Sequence, residues 1–358
     1  MSMKIRLFRS FPDAFRKSMT IYADRLREGV GALLGDGEEI DDCLLPGARL
    51  RPRAARYWDQ YVRYQRYCRG RAADVNHVID HGYGHLVSSL PAERTVVTFH
   101  DSTVTKVEGA SRGTRLSLRY SLRSIRKAAA VIADSESSRR DFLGLVSYPA
   151  ERVHVVYPGV DGSFKVYGEK ESLRSKLRLP DRYVLHVGHC LPYMNVEGVL
   201  LTLDQLVRRH KVDVSLVKVG GQFTQAQQAM IGRLGLGDRI LHLARVPFVD
   251  LPAIYNCADV LLYPALYAGF GLPPLEAMAC GTPVVCSDRG SLLEVTGGAA
   301  LTADPEHAPD LAERVAGLMS DERLREEHVA KGLRQANRYS WGRTAREVLS
   351  VYRWVMNA

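Results

Sequence analysis

The chain has 358 residues, 46% hydrophobic and 25% charged, with six cysteines and a formal net charge of +9. That length suits about two domains of roughly 150–200 residues each, and the composition is that of a globular protein rather than a disordered or fibrous one. No apolar run approaches the roughly 18–20 residues of a membrane span, and the start "MSMKIRLFRSF" has no signal-peptide core, so a cytoplasmic location is expected.

The charge is uneven. Residues 1–160 hold 26 Lys and Arg against 18 Asp and Glu, whereas residues 161–358 hold 23 against 22. A basic N-terminal half suits an anionic partner or a membrane surface without choosing between them. Cys43, Cys68, Cys190, Cys257, Cys280 and Cys286 form no CxxC pair. They read as reduced, buried packing residues.

Two arrays of alternating strands and helices follow along the chain. "MKIRLF" reads as a strand and residues 18–34 as a helix; "VNHVID", "RTVVTFH", "AAVIADS" and "RVHVVYPGV" are further short apolar strands. In the second array "RYVLHVG" is a strand and 195–209 a helix. "VDVSLVKVGG", "RILHLARV", "DVLLYPA", "TPVVCSD" and "GAALTAD" continue the alternation. Strands separated by helices imply parallel sheets covered on both faces. Two such arrays predict an α/β protein of two doubly wound, Rossmann-like domains facing across a cleft, with ligands at the strand C-terminal ends. The expected boundaries are 1–163, 164–340 and a last helix at 341–358 that crosses back to the first domain. Trp341, Val348, Leu349, Tyr352 and Val355 share one face of that helix.

The stretch "ALYAGFGLPPLEAMACGTPVV", Ala265 to Val285, joins two strands through a glycine-rich turn and a helix start. Gly269 and Gly271 let the backbone approach a ligand, and Pro273 and Pro274 suit a first helical turn. The amides of Phe270, Gly271 and Leu272 would then face an anion along the helix dipole, with Glu276 placed for a ribose diol. A plain tight turn with a dipole-compensating Glu fits the same residues.

The wider sequence resolves this. "GFGLPPLEAMACGTPVVCSDRGSLLEV" resembles the signature of glycosyltransferase family 4, the large retaining group with the GT-B fold. "VIADSESSRRDF", "VHVVYPGVD", "VLHVGHCLPYMNVEGVL" and "LPAIYNCADVLLYPALY" are similar to its other segments. The resemblance implies a nucleoside diphosphate sugar bound mainly by the C-terminal domain and an acceptor bound mainly by the N-terminal one. It implies no metal or cofactor requirement. The donor site it implies comprises Gly188, His189, Asn195, Lys218, Arg245, Val246, Ala268, Gly269, Phe270, Gly271, Leu272 and Glu276.

Three departures stand out. The family's first Glu, which contacts the donor sugar, is replaced by Ala268, seven residues before Glu276. Tyr193 and Met194 stand where a diphosphate-binding Arg and Lys are usual. "RSFPDAFRKSM" replaces the usual glycines of the first loop. His189, Lys218, Arg245, Arg16 and Lys17 are the candidate replacement cations. The departures suit an altered donor sugar; a catalytically silent nucleotide-sugar-binding subunit and an epimerase are the rivals.

His100 matches a family position near the donor sugar, and Asp101 either joins it in catalysis or caps the next segment. Asp80, His81 and Tyr83 in "NHVIDHGYGHL" are candidate acceptor contacts, together with Arg16 and Lys17. His77, Asp80, His81 and His85 do not have zinc-site spacing. Arg112, Arg115, Arg119, Arg123 and Arg126 lie on one helix face, which suits an anionic acceptor or lipid surface and equally a solvated basic face. "RPRAARYWDQYVRYQRYCRGR" interleaves Arg with aromatics, but Tyr57, Tyr61, Tyr64 and Cys68 fall on one helix face as packing requires, so nucleic acid is not the expected partner. Polysaccharide, lipid-linked and small natural-product acceptors all fit.

Overall fold

The structure, a computed structural model, describes residues 3–11, 17–47, 53–106 and 112–357. It divides into two compact units, Met1–Gly159 with Ser340–Ala358, and Val160–Tyr339. The strands are β1 (Lys4–Phe8), β2 (Glu39–Cys43), β3 (Val75–Val78), β4 (Thr95–Phe99), β5 (Ala130–Ala133) and β6 (Val153–Val155) in the first unit. In the second they are β7 (Tyr183–Val187), β8 (Ser215–Val219), β9 (Ile240–Leu243), β10 (Val260–Tyr263), β11 (Val284–Ser287) and β12 (Leu301–Ala303). Each unit holds one six-stranded sheet, in the orders β2-β1-β3-β4-β5-β6 and β12-β11-β10-β7-β8-β9, and the pairings are parallel.

Strand order locates the ligand sites. Where an open parallel sheet reverses its winding, two adjacent loops leave in opposite directions and open a crevice at the strand C-termini. In the first sheet the reversal falls between β1 and β3; in the second it falls between β7 and β10. Strands β3, β4 and β5 are buried throughout, which is why they read as continuous apolar runs.

β2 is an element the sequence pattern did not reveal. "EIDDC" has little apolar character, and its acids pair with the basic side chains of β1 instead. Lys4 meets Glu39 at 2.5 Å, Arg6 holds Asp41 through two nitrogens at 2.5 and 2.7 Å, and Arg9 reaches Asp42 at 2.7 Å. The forked Arg6–Asp41 pair is the strongest of these by geometry.

The last helix, Trp341–Asn357, packs on the first unit. Its Ala345, Val348, Leu349, Val351, Tyr352 and Val355 share a core with β1, β3 and β5 residues and with the helix Lys17–Gly31. The Tyr352 hydroxyl meets His77 Nδ1 at 2.6 Å, and His77 Nε2 meets Thr98 Oγ1 at 2.7 Å. Burial and the nearby His100 charge hold the His77 ring neutral, with its pKa down at about 3. Tyr352→Phe strands one buried ring nitrogen without a partner. It is expected to cost about 1–3 kcal/mol in urea denaturation, whereas an exposed change such as Arg353→Gln on the same helix leaves stability within about 0.5 kcal/mol.

The six cysteines are free and buried. Among the described residues no helix is long and apolar enough to cross a membrane.

Candidate functional site

The richest constellation lies at the C-terminal ends of β7 and β10. The loop after β10 is fixed from three sides. Leu266 N donates to Tyr193 O at 2.8 Å, tying it to the loop after β7. Ser291 Oγ donates to Ala268 O at 2.9 Å and Phe270 O at 2.7 Å. Gly271 then turns the chain into the helix Leu272–Ala279 with φ at 97°, and a Cβ there would stand 2.6 Å from Leu292 Cδ2. Only glycine meets both demands.

The helix N-terminus carries fewer donors than its length suggests. The first four amides of a helix have no partner within it, but Pro273 and Pro274 have no N–H at all. Of the four, only the amides of Gly271 and Leu272 remain for an anion. Ala268 is buried and presents only a methyl group.

Glu276 is the fifth residue of this helix, just beyond its first turn. Its Oε2 accepts from the Tyr255 hydroxyl at 2.7 Å, and its Oε1 takes no hydrogen bond from the described residues. Burial raises its pKa to about 7; the Tyr255 hydrogen bond works against that rise and the Asp161 charge adds to it. One oxygen is therefore fixed and the other is open.

The loop after β7 differs most from expectation. Met194 is buried, and its methyl carbon lies 2.2 Å from where a Cβ on Gly188 would stand, so the residue that replaces the expected lysine fills the space over Gly188. The Tyr263 hydroxyl meets its sulfur at 3.9 Å. Behind this plug, His186 Nε2 is buried without a hydrogen bond.

Two expected donor ligands are used internally. Lys218 is fully buried, and its ammonium donates to the carbonyls of Gly188 at 2.7 Å, Val219 at 3.0 Å and Gly220. It is not a free cation for a phosphate; it clamps the loops after β7 and β8. Asn195, in the left-handed conformation, caps the helix Val196–Arg208 by accepting from Gly198 N at 3.1 Å. Its amide donates to Pro264 O at 3.1 Å and Pro305 O at 2.7 Å, so it too is a structural clamp. His189 is half-buried, and burial together with the Lys218 charge lowers its pKa. Arg245 is exposed just beyond β9 and makes no ion pair among the described residues; Val246 beside it is half-buried. Of the expected donor-site residues, Arg245 is thus a cation left available for an anionic ligand.

In the first unit, His100 follows β4 and is buried. Nδ1 lies 2.6 Å from Asp134 Oδ2 and Nε2 lies 2.8 Å from Ile79 O. Burial opposes the charged ring, but Asp134, helped by Asp80 and the Ile79 carbonyl, wins and raises the pKa to about 9. Both nitrogens are spent on protein acceptors, so the ring has no nitrogen left for a sugar hydroxyl and offers a fixed positive charge instead. Asp134 escaped the sequence reading; the β4–β5 register, Phe99 opposite Ala133, sets it beside His100. Asp101 Oδ1 accepts from Thr103 N at 2.9 Å, the capping role.

The candidate acceptor residues cluster near the β1/β3 reversal but are largely committed. Asp80 is buried and accepts from Gly82 N at 2.7 Å, opening the 3-10 segment His81–Ser89. The Tyr83 hydroxyl accepts from Phe11 N at 3.0 Å in the core. His81 Nδ1 accepts from His100 N at 3.4 Å. Arg16 and the Lys17 side chain lie outside the described residues. His77 and His85 point into separate core networks, the latter meeting Gln60 O at 2.9 Å. Among the described residues no three His, Cys, Asp or Glu side chains are placed to hold a metal ion.

Comparison with known proteins fits this geometry. Residues 22–164 match the sequence family described as Glycosyltransferase Family 4, and residues 169–335 match that described as Glycosyl transferases group 1. The O-antigen chain mannosyltransferase B of Escherichia coli is 32% identical over 270 residues, covering 73% of this chain and 70% of that protein. Sucrose-phosphate synthase from Thermosynechococcus elongatus superposes with a TM-score of 0.79 at 19% identity, over 99% of both chains. Anabaena HepE in complex with UDP and glucose superposes with a TM-score of 0.78 at 17% identity, over 97% of this chain and 98% of that one. With its two parallel sheets, its glycine turn into a helix and its half-buried Glu276, the chain belongs to the family 4 glycosyltransferases of the GT-B fold.

Proposed function

We propose that this glycosyltransferase moves a sugar from a nucleoside diphosphate sugar to a carbohydrate acceptor with retention at the anomeric carbon. The reading rests on Glu276, with one carboxylate oxygen held by Tyr255 and the other open, on a helix entered through a glycine turn. An open carboxylate suits a ribose diol, and amides at a helix start suit a diphosphate. A similar protein is named for mannosyl transfer to an O-antigen chain, and a structural neighbour holds UDP. These names favour a mannosyl donor and a growing glycan as acceptor.

In this reading the acceptor oxygen forms its bond to C1 as the C1–phosphate bond breaks on the same face. The departing phosphate oxygen takes the acceptor proton. The amides of Gly271 and Leu272, with Arg245, meet the charge that develops on the diphosphate, and no metal ion is required. His100 contributes a fixed positive charge on the first unit.

The test is turnover. Purified protein is incubated with GDP-mannose, UDP-glucose and related donors, with and without glycan acceptors and with EDTA present. Nucleoside diphosphate release with an α-linked product from an α-linked donor supports the reading. The Met194 plug gives a silent nucleotide-sugar-binding subunit its footing, and tight donor binding without turnover in every combination would establish that instead.

Ala268 is the position to probe for donor choice. Its backbone is pinned by Ser291, so a larger side chain extends rather than relaxes away. Ala268→Glu is expected to change the ratio of kcat/KM between donors by about tenfold or more. Identical ratios in the variant would remove position 268 from the sugar site.

A further inference from the structure

The donor site leaves the strongest surface feature of the first unit unused. The helix Arg112–Ile125 has the sequence RGTRLSLRYSLRSI, with no acidic residue. Leu118, Leu122 and Ile125 are buried beneath it, while Arg115, Leu116, Arg119, Tyr120 and Arg123 face outward. Leu116 is 64% exposed and Tyr120 is 46% exposed, although both are large and apolar-bodied. Arg126 and Lys127 extend the basic face, and Arg115, Arg119, Arg123 and Arg126 make no ion pair among the described residues. The side chain of Arg112 lies outside the described part.

A second segment packs alongside and presents the same chemistry. The helix Arg53–Trp58 continues through a π-helical turn, Asp59–Arg63, into Tyr64–Cys68. Tyr64 and Cys68 point into the core, but Tyr57 is 47% and Trp58 57% exposed. Tyr57 stacks on Tyr61 with ring centres 6.2 Å apart, and Tyr61 lies 6.2 Å from Tyr120. The Tyr61 hydroxyl also meets Ser117 Oγ, and Gln65 Nε2 donates to the Tyr120 hydroxyl at 3.2 Å. The one acid of this segment, Asp59, is buried and paired with Arg63 at 2.7 Å. Arg66 and Arg69 are exposed.

We propose that this face, with Trp58, Leu116 and Tyr120 set among Arg115, Arg119 and Arg123, docks on an anionic lipid bilayer. The argument is complementarity of two kinds at once. Unpaired arginines without neighbouring acids attract a negative surface, and exposed aromatic rings partition into the headgroup region. A solvated basic face explains the arginines but not the exposed Trp and Leu between them. A nucleic acid would use the arginines and tyrosines but leaves Leu116 facing water. The docking reading stands apart from donor chemistry and requires no turnover.

The full-length protein is tested by co-sedimentation with vesicles of phosphatidylcholine alone and of phosphatidylcholine mixed with phosphatidylglycerol. Binding to the mixed vesicles only, weakening with salt and accompanied by a blue shift of tryptophan emission, is expected. Trp58→Phe should bind but lose the shift, since Trp341 and Trp354 lie elsewhere. The triple change Arg115→Glu, Arg119→Glu, Arg123→Glu should weaken binding about 100-fold, at about fivefold per arginine. Leu116→Ser should weaken it less, and Arg233→Glu, in the second unit, should not weaken it. Melting temperatures of the variants establish that they fold; the milder Arg119→Gln serves if the triple variant does not. Failure to sediment with mixed vesicles, or sedimentation unaffected by these changes, overturns the proposal. So does equal affinity for a single-stranded oligonucleotide with no fluorescence shift on vesicles, which would mark a general polyanion site.

Discussion

Glu276→Gln is expected to weaken nucleoside diphosphate binding by about 1.5–3 kcal/mol, roughly 10- to 150-fold, while making the empty protein more stable above neutral pH. The two effects have one cause. Burial raises the Glu276 pKa to about 7, against the lowering influence of Tyr255. The fold therefore favours the neutral acid. The stability this gives is fully present below the unfolded value of about 4.5 and is lost as pH rises through about 7. Glutamine escapes that loss, and at pH 8 the gain is about 1–3 kcal/mol after allowance for the partial exposure of the side chain. A ribose diol, however, donates to the open carboxylate oxygen; in glutamine Tyr255 holds the single amide oxygen, and an NH2 that cannot accept faces the diol. Calorimetry with UDP and GDP checks the affinity; urea denaturation at pH 5 and pH 8 checks the stability. In the wild type, affinity should fall about tenfold from pH 8 to pH 6 as the carboxylate protonates; in Glu276→Gln it should be flat. Unchanged affinity in the variant would remove Glu276 from the nucleotide site, whatever its stability.

Tyr255 completes this device, and it shows where sequence reading stops. In "LPAIYNCADV" the tyrosine sits among apolar residues and reads as core, which it is, since it is fully buried. Only the packing of Leu251–Cys257 beside Leu272–Ala279 brings its hydroxyl to Glu276. The His100–Asp134 pair is hidden for a related reason: the residues lie 34 positions apart, and strand register alone unites them. β2 escaped notice because its stabilising partners are the basic residues of β1, so its own sequence carries no apolar alternation. The other strands, the glycine turn and the last helix were legible because each depends on local pattern: apolar runs, residues suited to unusual backbone angles, and helical spacing.

The polar residues of the donor loops divide by a similar rule. A lysine near a strand C-terminus and an asparagine at a helix start resemble ligands in sequence. In the fold, the carbonyls released where loops leave the sheet compete for the same side chains. Asn195 and Lys218 answer that internal demand. The side chain of Met194 packs over Gly188, whose carbonyl Lys218 holds. Under the proposed function the phosphate region then holds few mobile cations: amides at a proline-depleted helix start, a largely neutral His189 and an exposed Arg245. Binding in such a site depends on backbone placement more than on side-chain charge, so whatever fixes the loops acts on the donor indirectly.

Lys218→Met puts that dependence to the sharpest test. The substitution keeps most of the volume and removes the donor that joins Gly188 O, Val219 O and Gly220 O. Two terms oppose each other. Burial lowers the Lys218 pKa to about 8, with partial relief from Cys190, so the charge itself costs stability at neutral pH and methionine removes that cost. Against this, three carbonyls lose a charged donor in a dry setting, at roughly 1–3 kcal/mol for each one left unsatisfied. Val219 O keeps the Gly188 amide at 3.0 Å, which limits the loss. The carbonyls win, and the ligand-free variant is expected to be less stable by about 2–4 kcal/mol. Donor affinity falls with it because the loops after β7 and β8 are no longer clamped. If Lys218 instead served as a phosphate ligand, the empty protein would lose nothing, or would gain from shedding a buried charge, and only binding would suffer. Denaturation without nucleotide separates the two: a variant as stable as the wild type, with affinity lost, would return Lys218 to the donor and remove it from the scaffold.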